Sequence, residues 1–196
     1  MRLEWQMWCD ESNILCKEDC EEIVERALKL PGVPATVGTS GEVVPGIRSS
    51  VVRWLDRQNP DFTEICDFVE ARIREANRNA FGFDISYLPA LQFTTYSAND
   101  NAFYRYHVDT FFGWQNGRPK PTMTDRKISF MLQLSDPSTY KGGNLELESY
   151  PVPDCELLRR QGAAIAFPSL LRHQVTPITQ GVRYSLVGWM EGPFWR

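Results

Sequence analysis

Histidine is nearly absent from this chain, with two in 196 residues, His107 and His173. A histidine-rich metal cage is excluded, and any imidazole chemistry has to use these two. Cysteine is scarce as well. The five, Cys9, Cys16, Cys20, Cys66 and Cys155, form an odd set with no CxxC pair, so neither a complete disulfide framework nor a zinc ribbon is expected. Reduced, packed thiols are the expectation. No apolar run approaches the roughly 20 residues of a membrane span. The segment MRLEWQMWCDES carries acids and no apolar stretch of signal-peptide length, so a soluble, cytoplasmic protein with no membrane partner is expected. A net charge of −4 without a basic stripe argues against nucleic acid as a partner. Internal repeats and low-complexity segments are missing too.

What is present is ordinary globular material, 42% hydrophobic and 23% charged, with a somewhat rich aromatic content that includes six Trp. The length suits one domain, 1–196, since a chain of this size buries about 70% of its unfolded surface. KEDCEEIVERALKL, residues 17–30, has small or apolar residues at Cys20, Ile23, Ala27 and Leu30 and acids in its first turn, which predicts a helix stopped by Pro31 and Gly32. Asn59-Pro60 caps a second one, with Phe62, Ile65, Val69, Ile73, Ala76 and Ala80 on one stripe, ending near Gly82. Between them GIRSSVVRWL reads as one strand, in which Arg48 and Arg53 are structural supports. The Trp5 and Trp8 pair is expected to cap a sheet edge.

Beyond residue 84 the pattern is short β segments: 90–96, 103–107, 127–134, 144–148, 163–167, 174–178 and 183–190. Seven short strands point to a sandwich or barrel. GWQNGRPKPTMTDR, residues 113–126, combines Gly, Pro and charge and reads as a long exposed loop of the kind used as a lid.

His107 and Asp109 sit at alternate positions in FYRYHVDTFF, hence on one face of an extended segment. His173 follows in SLLRHQVTPI, and Arg183 stands ten residues later among apolar neighbours. Two imidazoles and a carboxylate match the facial ligand set of mononuclear non-haem Fe(II) oxygenases, which leaves three coordination positions open. A 2-oxo acid would chelate through two of these and dioxygen would take the third. Arg183 would hold a distal carboxylate with its planar fork, and Ser185, on the same face, would add a hydrogen bond.

The motifs RYHVD, KISFMLQLSDPSTYKGGNLELE and GAAIAFPSLLRHQVTPITQGVRYSLVGWM resemble the Fe(II)/2-oxoglutarate dioxygenases of the prolyl 4-hydroxylase superfamily, most nearly the PKHD-type hydroxylases. The resemblance covers about 86–192 and, more faintly, the upstream helical part. It implies a mainly β fold with supporting α-helices, a double-stranded β-helix of jelly-roll, cupin-like type, with helical support over about 1–85 and the catalytic core over about 86–192. It implies His107, Asp109 and His173 as Fe(II) ligands and Arg183 as the anchor of 2-oxoglutarate. Tyr96 corresponds to a tyrosine of the co-substrate pocket, and Gln133 replaces a co-substrate-binding tyrosine. Leu145 and Trp189 should line the site. Hydroxylation of a protein or peptide substrate is implied, at a peptidyl proline, with release of succinate and CO2 and with ascorbate as a reductant. The alternatives are a free amino acid or other small molecule as substrate, a cupin-type metalloprotein, or a non-enzymatic β-sandwich binding module. The last of these needs no proximity between the two histidines.

Overall fold

The computed structural model describes residues 8–10, 15–37, 41–112, 114–115, 118–119, 124–148 and 155–195. Strand β1 (Trp8–Asp10) precedes helix α1 (Lys17–Leu28), then β2 (Val33–Pro34), β3 (Arg48–Ser49) and β4 (Val51–Leu55). Helix α2 (Pro60–Ala76) runs into a π-helical turn, Asn77–Phe81. The β-rich part follows: β5 (Leu91–Ser97), β6 (Phe103–His107), the short hairpin β7 (Trp114–Gln115) and β8 (Arg118–Pro119), then β9 (Thr124–Gln133). After β10 (Tyr140–Gly142) and β11 (Leu145–Leu147) come helix α3 (Cys155–Arg159), β12 (Ala164–Pro168), β13 (His173–Val175) and β14 (Ile178–Pro193).

Local chemistry explains both long helices. The Cys16 sulfur accepts from the Asp19 amide at 3.4 Å to cap α1, and acids at 18 and 19 meet the positive end of its dipole. Exposed pairs such as Lys29–Glu25 (2.9 Å) lace its outer face, while Cys20 and Ala27 are buried. Asn59 caps α2 through the Asp61 amide at 3.1 Å, with Pro60 in the first turn, where a missing N–H costs nothing. Phe62, Cys66, Val69, Ile73 and Ala76, spaced four and three apart, form its single buried stripe. Gly82, with φ of 64°, ends the following turn in the left-handed conformation that glycine tolerates.

Among the described residues, two antiparallel sheets face each other. The larger runs β1-β12-β9-β14-β5-β4-β2, with β10 also paired to β14, and the smaller runs β11-β13-β6-β3. Period-2 alternation divides the larger sheet between two environments. Leu91 and Phe93, Ile128, Phe130 and Leu132, and Leu186 and Met190 join the core that α1 and α2 cover. The intervening residues, Gln92 and Tyr96, Ser129 and Met131, and Arg183, Ser185, Val187 and Trp189, line a cavity between the sheets. The fold is a double-stranded β-helix whose outer face is closed by helices and whose inner face is left to chemistry.

Two local expectations change. GIRSSVVRWL is two strands: β3 pairs with β6 in the smaller sheet and β4 pairs with β5 in the larger, so the chain changes sheets at Ser50. The stretch 113–126 is not exposed throughout. β9 begins at Thr124, Asp125 is fully buried, and the Arg126 guanidinium lies over the Trp189 ring at 3.9 Å and the Phe111 ring at 4.6 Å. The charges that suggested exposure are met inside instead, since Asp125 accepts from the Phe111 and Arg126 amides. Residues 113, 116, 117 and 120–123, which bear on the lid reading, and the Trp5 and Trp8 side chains lie outside the described residues.

Arg48 and Arg53 act as supports: Arg48 bonds Ser50 and the Thr36 carbonyl, and Arg53 bonds the Leu30 carbonyl and Thr95. Cys16, Cys20 and Cys66 are free thiols, the last two buried, and burial pushes Cys20 up to about 12 and Cys66 to about 11. No helix of the described residues is long and apolar enough to cross a membrane.

Ile73 is fully buried between α2 and the larger sheet. Ile73→Ala should therefore cost about 2–5 kcal/mol, read as a lower denaturant midpoint with an unchanged slope. A change under about 0.5 kcal/mol, the range of surface substitutions, would contradict this account of the core.

Candidate active site

His107 ends β6 and His173 begins β13, and the two are direct cross-strand partners in the smaller sheet. Antiparallel pairing thus brings together imidazoles 66 positions apart, with ring centroids at 4.2 Å. Asp109 lies just past β6 and reaches between them: its Oδ1 is 3.4 Å from His107 Nε2 and its Oδ2 3.4 Å from His173 Nε2. One ligand atom from each residue falls within 4.8 Å of the others, the size of a mononuclear metal site.

The ring orientations fit a metal. His107 Nδ1 donates to the Arg105 carbonyl at 2.8 Å and His173 Nδ1 to the Leu171 carbonyl at 2.9 Å. A carbonyl can only accept, so each proton sits on Nδ1 and each Nε2 lone pair faces Asp109. Burial holds His173 well below its usual range, at about 4, and hence neutral and ready to ligate at physiological pH. Burial alone would raise the Asp109 carboxyl, but the charge that His173 and His107 carry when protonated, together with Arg126, outweighs it and holds the group below the usual carboxylate range. Asp109 and His173 are therefore already in the protonation state that a metal ligand needs.

Asp109 is fixed from behind by groups that sequence reasoning missed. Ser129 Oγ donates to Asp109 Oδ2 at 2.6 Å. That uses its one proton, so at the 2.9 Å Ser129–Ser169 contact Ser169 is the donor. The Asp109 amide bonds the Ser169 carbonyl at 3.0 Å. A fully buried serine in the apolar run ISFML was the available signal, since such a hydroxyl needs a partner. Three residues on from Asp109, Phe112 has φ of 50° and an exposed ring, an uncommon conformation for a non-glycine residue.

On the opposite wall Arg183 pairs across the larger sheet with Tyr96, and Ser185 pairs with Gln133. All four are buried, and Arg183, Tyr96 and Ser185 line the cavity that also holds His107, Asp109 and His173. The Arg183 contacts are with uncharged groups: Nε donates to Gln133 Oε1 at 3.0 Å, a terminal nitrogen lies 3.6 Å from the Met131 sulfur, and the guanidinium is 5.6 Å from the Tyr96 ring. Gln133 in turn donates to Tyr140 Oη at 2.9 Å and to the Ser135 carbonyl at 3.1 Å. Its amide is committed to protein groups and orients Arg183. The glycine pair has a steric reason: a Cβ on Gly143, at φ of 65°, would come within 2.2 Å of Ile178 and 3.1 Å of the Arg183 stem.

The cavity, about 950 Å³, extends past the cluster of His107, Asp109 and His173 to a rim with Val33, Ile47 and half-exposed Trp54. Tyr104 stacks on His107 with centroids 3.5 Å apart and carries Arg48 at 4.4 Å on its ring. Burial raises its hydroxyl to about 12, so the ring stacked on His107 carries no charge of its own. Tyr106, Leu145 and Trp189 also line the cavity, and the Trp54 and Trp189 rings are 6.3 Å apart.

Comparison with known proteins agrees with this geometry. Residues 91–191 match the family model of the 2OG-Fe(II) oxygenase superfamily. A PKHD-type hydroxylase of Shewanella sp. (strain ANA-3) is 25% identical over 184 residues, covering 91% of this chain and 75% of that protein. One from Synechococcus sp. (strain CC9605) is 38% identical over 88 residues, 45% of this chain and 36% of that protein. The chain spans about a third of the length of the first such relatives. In fold it is similar to a Pseudomonas putida prolyl-4-hydroxylase (TM-score 0.67, 20% identity, 95% of this chain and 91% of that one). It is also similar to a Trichoplax adhaerens prolyl hydroxylase in complex with a hypoxia inducible factor peptide fragment (TM-score 0.70, 17% identity, 95% of this chain and 84% of that one). With a family model spanning the strands that carry His107, Arg183 and every residue between them, the chain belongs to the 2OG-Fe(II) oxygenase superfamily.

Proposed function

We propose that this protein is an Fe(II)- and 2-oxoglutarate-dependent hydroxylase acting on a peptidyl proline, with residues 1–196 working as one catalytic domain. The observation that carries this reading is the convergence of His107, Asp109 and His173 in one cavity with a buried arginine whose contacts are uncharged. Bound Fe(II) with dioxygen would supply the oxidising chemistry, one oxygen atom entering a substrate C–H bond and the other the succinate formed with CO2 from 2-oxoglutarate.

The chain's own residues do the rest. His107, Asp109 and His173 would hold the metal on one face through two Nε2 atoms and a carboxylate oxygen, which leaves the cavity side open. Arg183, its Nε fixed by Gln133, would direct its free edge at the distal carboxylate of the co-substrate, with Ser185 and Tyr96 beside it. The apolar walls at Met131, Leu145 and Phe167 would exclude water around the reacting groups. The cavity is far larger than a proline ring and opens on an apolar rim, which supports an extended peptide over a free amino acid. The peptide-bound Trichoplax adhaerens relative supports the same preference.

Three measurements test this. Anaerobic addition of Fe(II) and 2-oxoglutarate should give a weak visible absorption band that His107→Ala and Asp109→Ala abolish, with cooperative melting retained. A band unaffected by either change would remove these residues as ligands. Arg183→Leu should weaken 2-oxoglutarate binding roughly 30-fold or more, the equivalent of about 2 kcal/mol or above for truncating one partner of a buried charge pair, while metal binding stays within about twofold. Equal co-substrate affinity would take Arg183 out of its role. Proline-containing peptides incubated with enzyme and cofactors should gain a single oxygen by mass spectrometry. Modification of free amino acids alone would instead establish the small-molecule alternative.

A further inference from the structure

Trp195 stands two residues beyond the end of β14, far along the chain from the metal-ligating pair in β6 and its following loop. Its indole Nε1–H nevertheless donates to Thr110 Oγ1 at 3.1 Å. Thr110 directly follows Asp109 and is 3% exposed, so what touches it bears on the carboxylate next to it.

The segment that presents Asp109 is tied on several sides. The Asp109 and Thr110 amides both donate to the Ser169 carbonyl, at 3.0 and 3.3 Å, and the Phe111 amide donates to Asp125 Oδ1 at 2.8 Å. These bonds fix the backbone from β9 and from the turn between β12 and β13. Trp195 adds a hold on the Thr110 side chain from a third element.

The indole is itself well supported. Lys127 Nζ lies 3.9 Å from its ring, and Phe83 meets it edge-on at 5.2 Å. The Phe83 amide and carbonyl are both bonded to the Asn77 side chain, at 2.8 and 2.9 Å, where α2 passes into its π-helical turn. A path of contacts thus runs from the helical layer through Phe83 and Trp195 to Thr110 and Asp109.

We infer that Trp195 is a positioning residue of the metal centre, holding the Asp109 segment through Thr110 so that the carboxylate meets both histidines without rearrangement. This rests on the reading of His107, Asp109 and His173 as metal ligands. Its absence from the facing sheets explains why no motif spacing announces it.

The test is binding of Mn(II) to the metal-free protein, followed by the loss of the free-ion EPR signal. Trp195→Phe keeps a ring for Lys127 and Phe83 but removes the N–H, and Thr110→Val removes the acceptor from the other side. Each should weaken Mn(II) binding about 3- to 10-fold, the scale of one hydrogen bond. The double variant should be no weaker than either single one, because the two changes remove the same bond. Thr110→Ser, which keeps the hydroxyl, should bind like the unaltered protein. Unchanged Mn(II) affinity in both single variants, even with lowered melting temperatures, would overturn the role of Trp195, as would additive losses in the double variant. Failure of the unaltered protein to bind Mn(II) would be a different result: it would overturn the metal reading and this inference with it.

Discussion

The site depends on a single cross-strand pairing, His107 opposite His173. An imidazole that ligates through Nε2 must give its Nδ1 proton to an acceptor, and here each ring gives it to the carbonyl two residues earlier in the chain, on β6 for His107 and in the turn before β13 for His173. The same sheet geometry therefore sets the distance between the rings, their tautomers and their direction. Asp109 completes the set because the chain leaves β6 immediately after His107 and folds back under Ser129 and Ser169. A one-residue slip of β13 against β6 would turn His173 to the other face and leave Asp109 buried without its partner.

The larger sheet meets a second demand, a cation buried in the cavity wall. Burying Arg183 is costly unless its donors are met. Gln133 meets one of them and is itself held by Tyr140 and the Ser135 carbonyl, with Arg159 over the Tyr140 ring at 4.3 Å. These links tie the guanidinium to the glycine pair, where any side chain on Gly143 would collide with Ile178 and the Arg183 stem. A glutamine at 133 fits this arrangement, since an amide can accept from the arginine and donate away from it at once.

The helices serve the site indirectly. By covering one face of the larger sheet with Phe62, Val69, Ile73 and their neighbours, they free the other face from supplying a core. That face can then carry Ser129, Gln133, Arg183 and Ser185, all buried and all polar. Arg126, between Phe111 and Trp189, shows the same economy: a partly buried charge in this wall rests against π faces.

Much of this was legible in the chain itself. The periods of three and four in 59–82, the alternation beyond residue 84 and the order HxD, H, R determined the helices, the β-rich half and the identities of the residues at the centre, because each is a local pattern of side-chain type. The partition of 46–55 between two sheets, the burial of Asp125, the placing of Arg126 between two rings, the serines behind Asp109 and the reach of Trp195 to Thr110 were decided only in three dimensions. A charge or hydroxyl looks the same in sequence whether water, a carbonyl or an aromatic ring satisfies it, and which of these does so is set by strand register and by contacts between residues far apart in the chain.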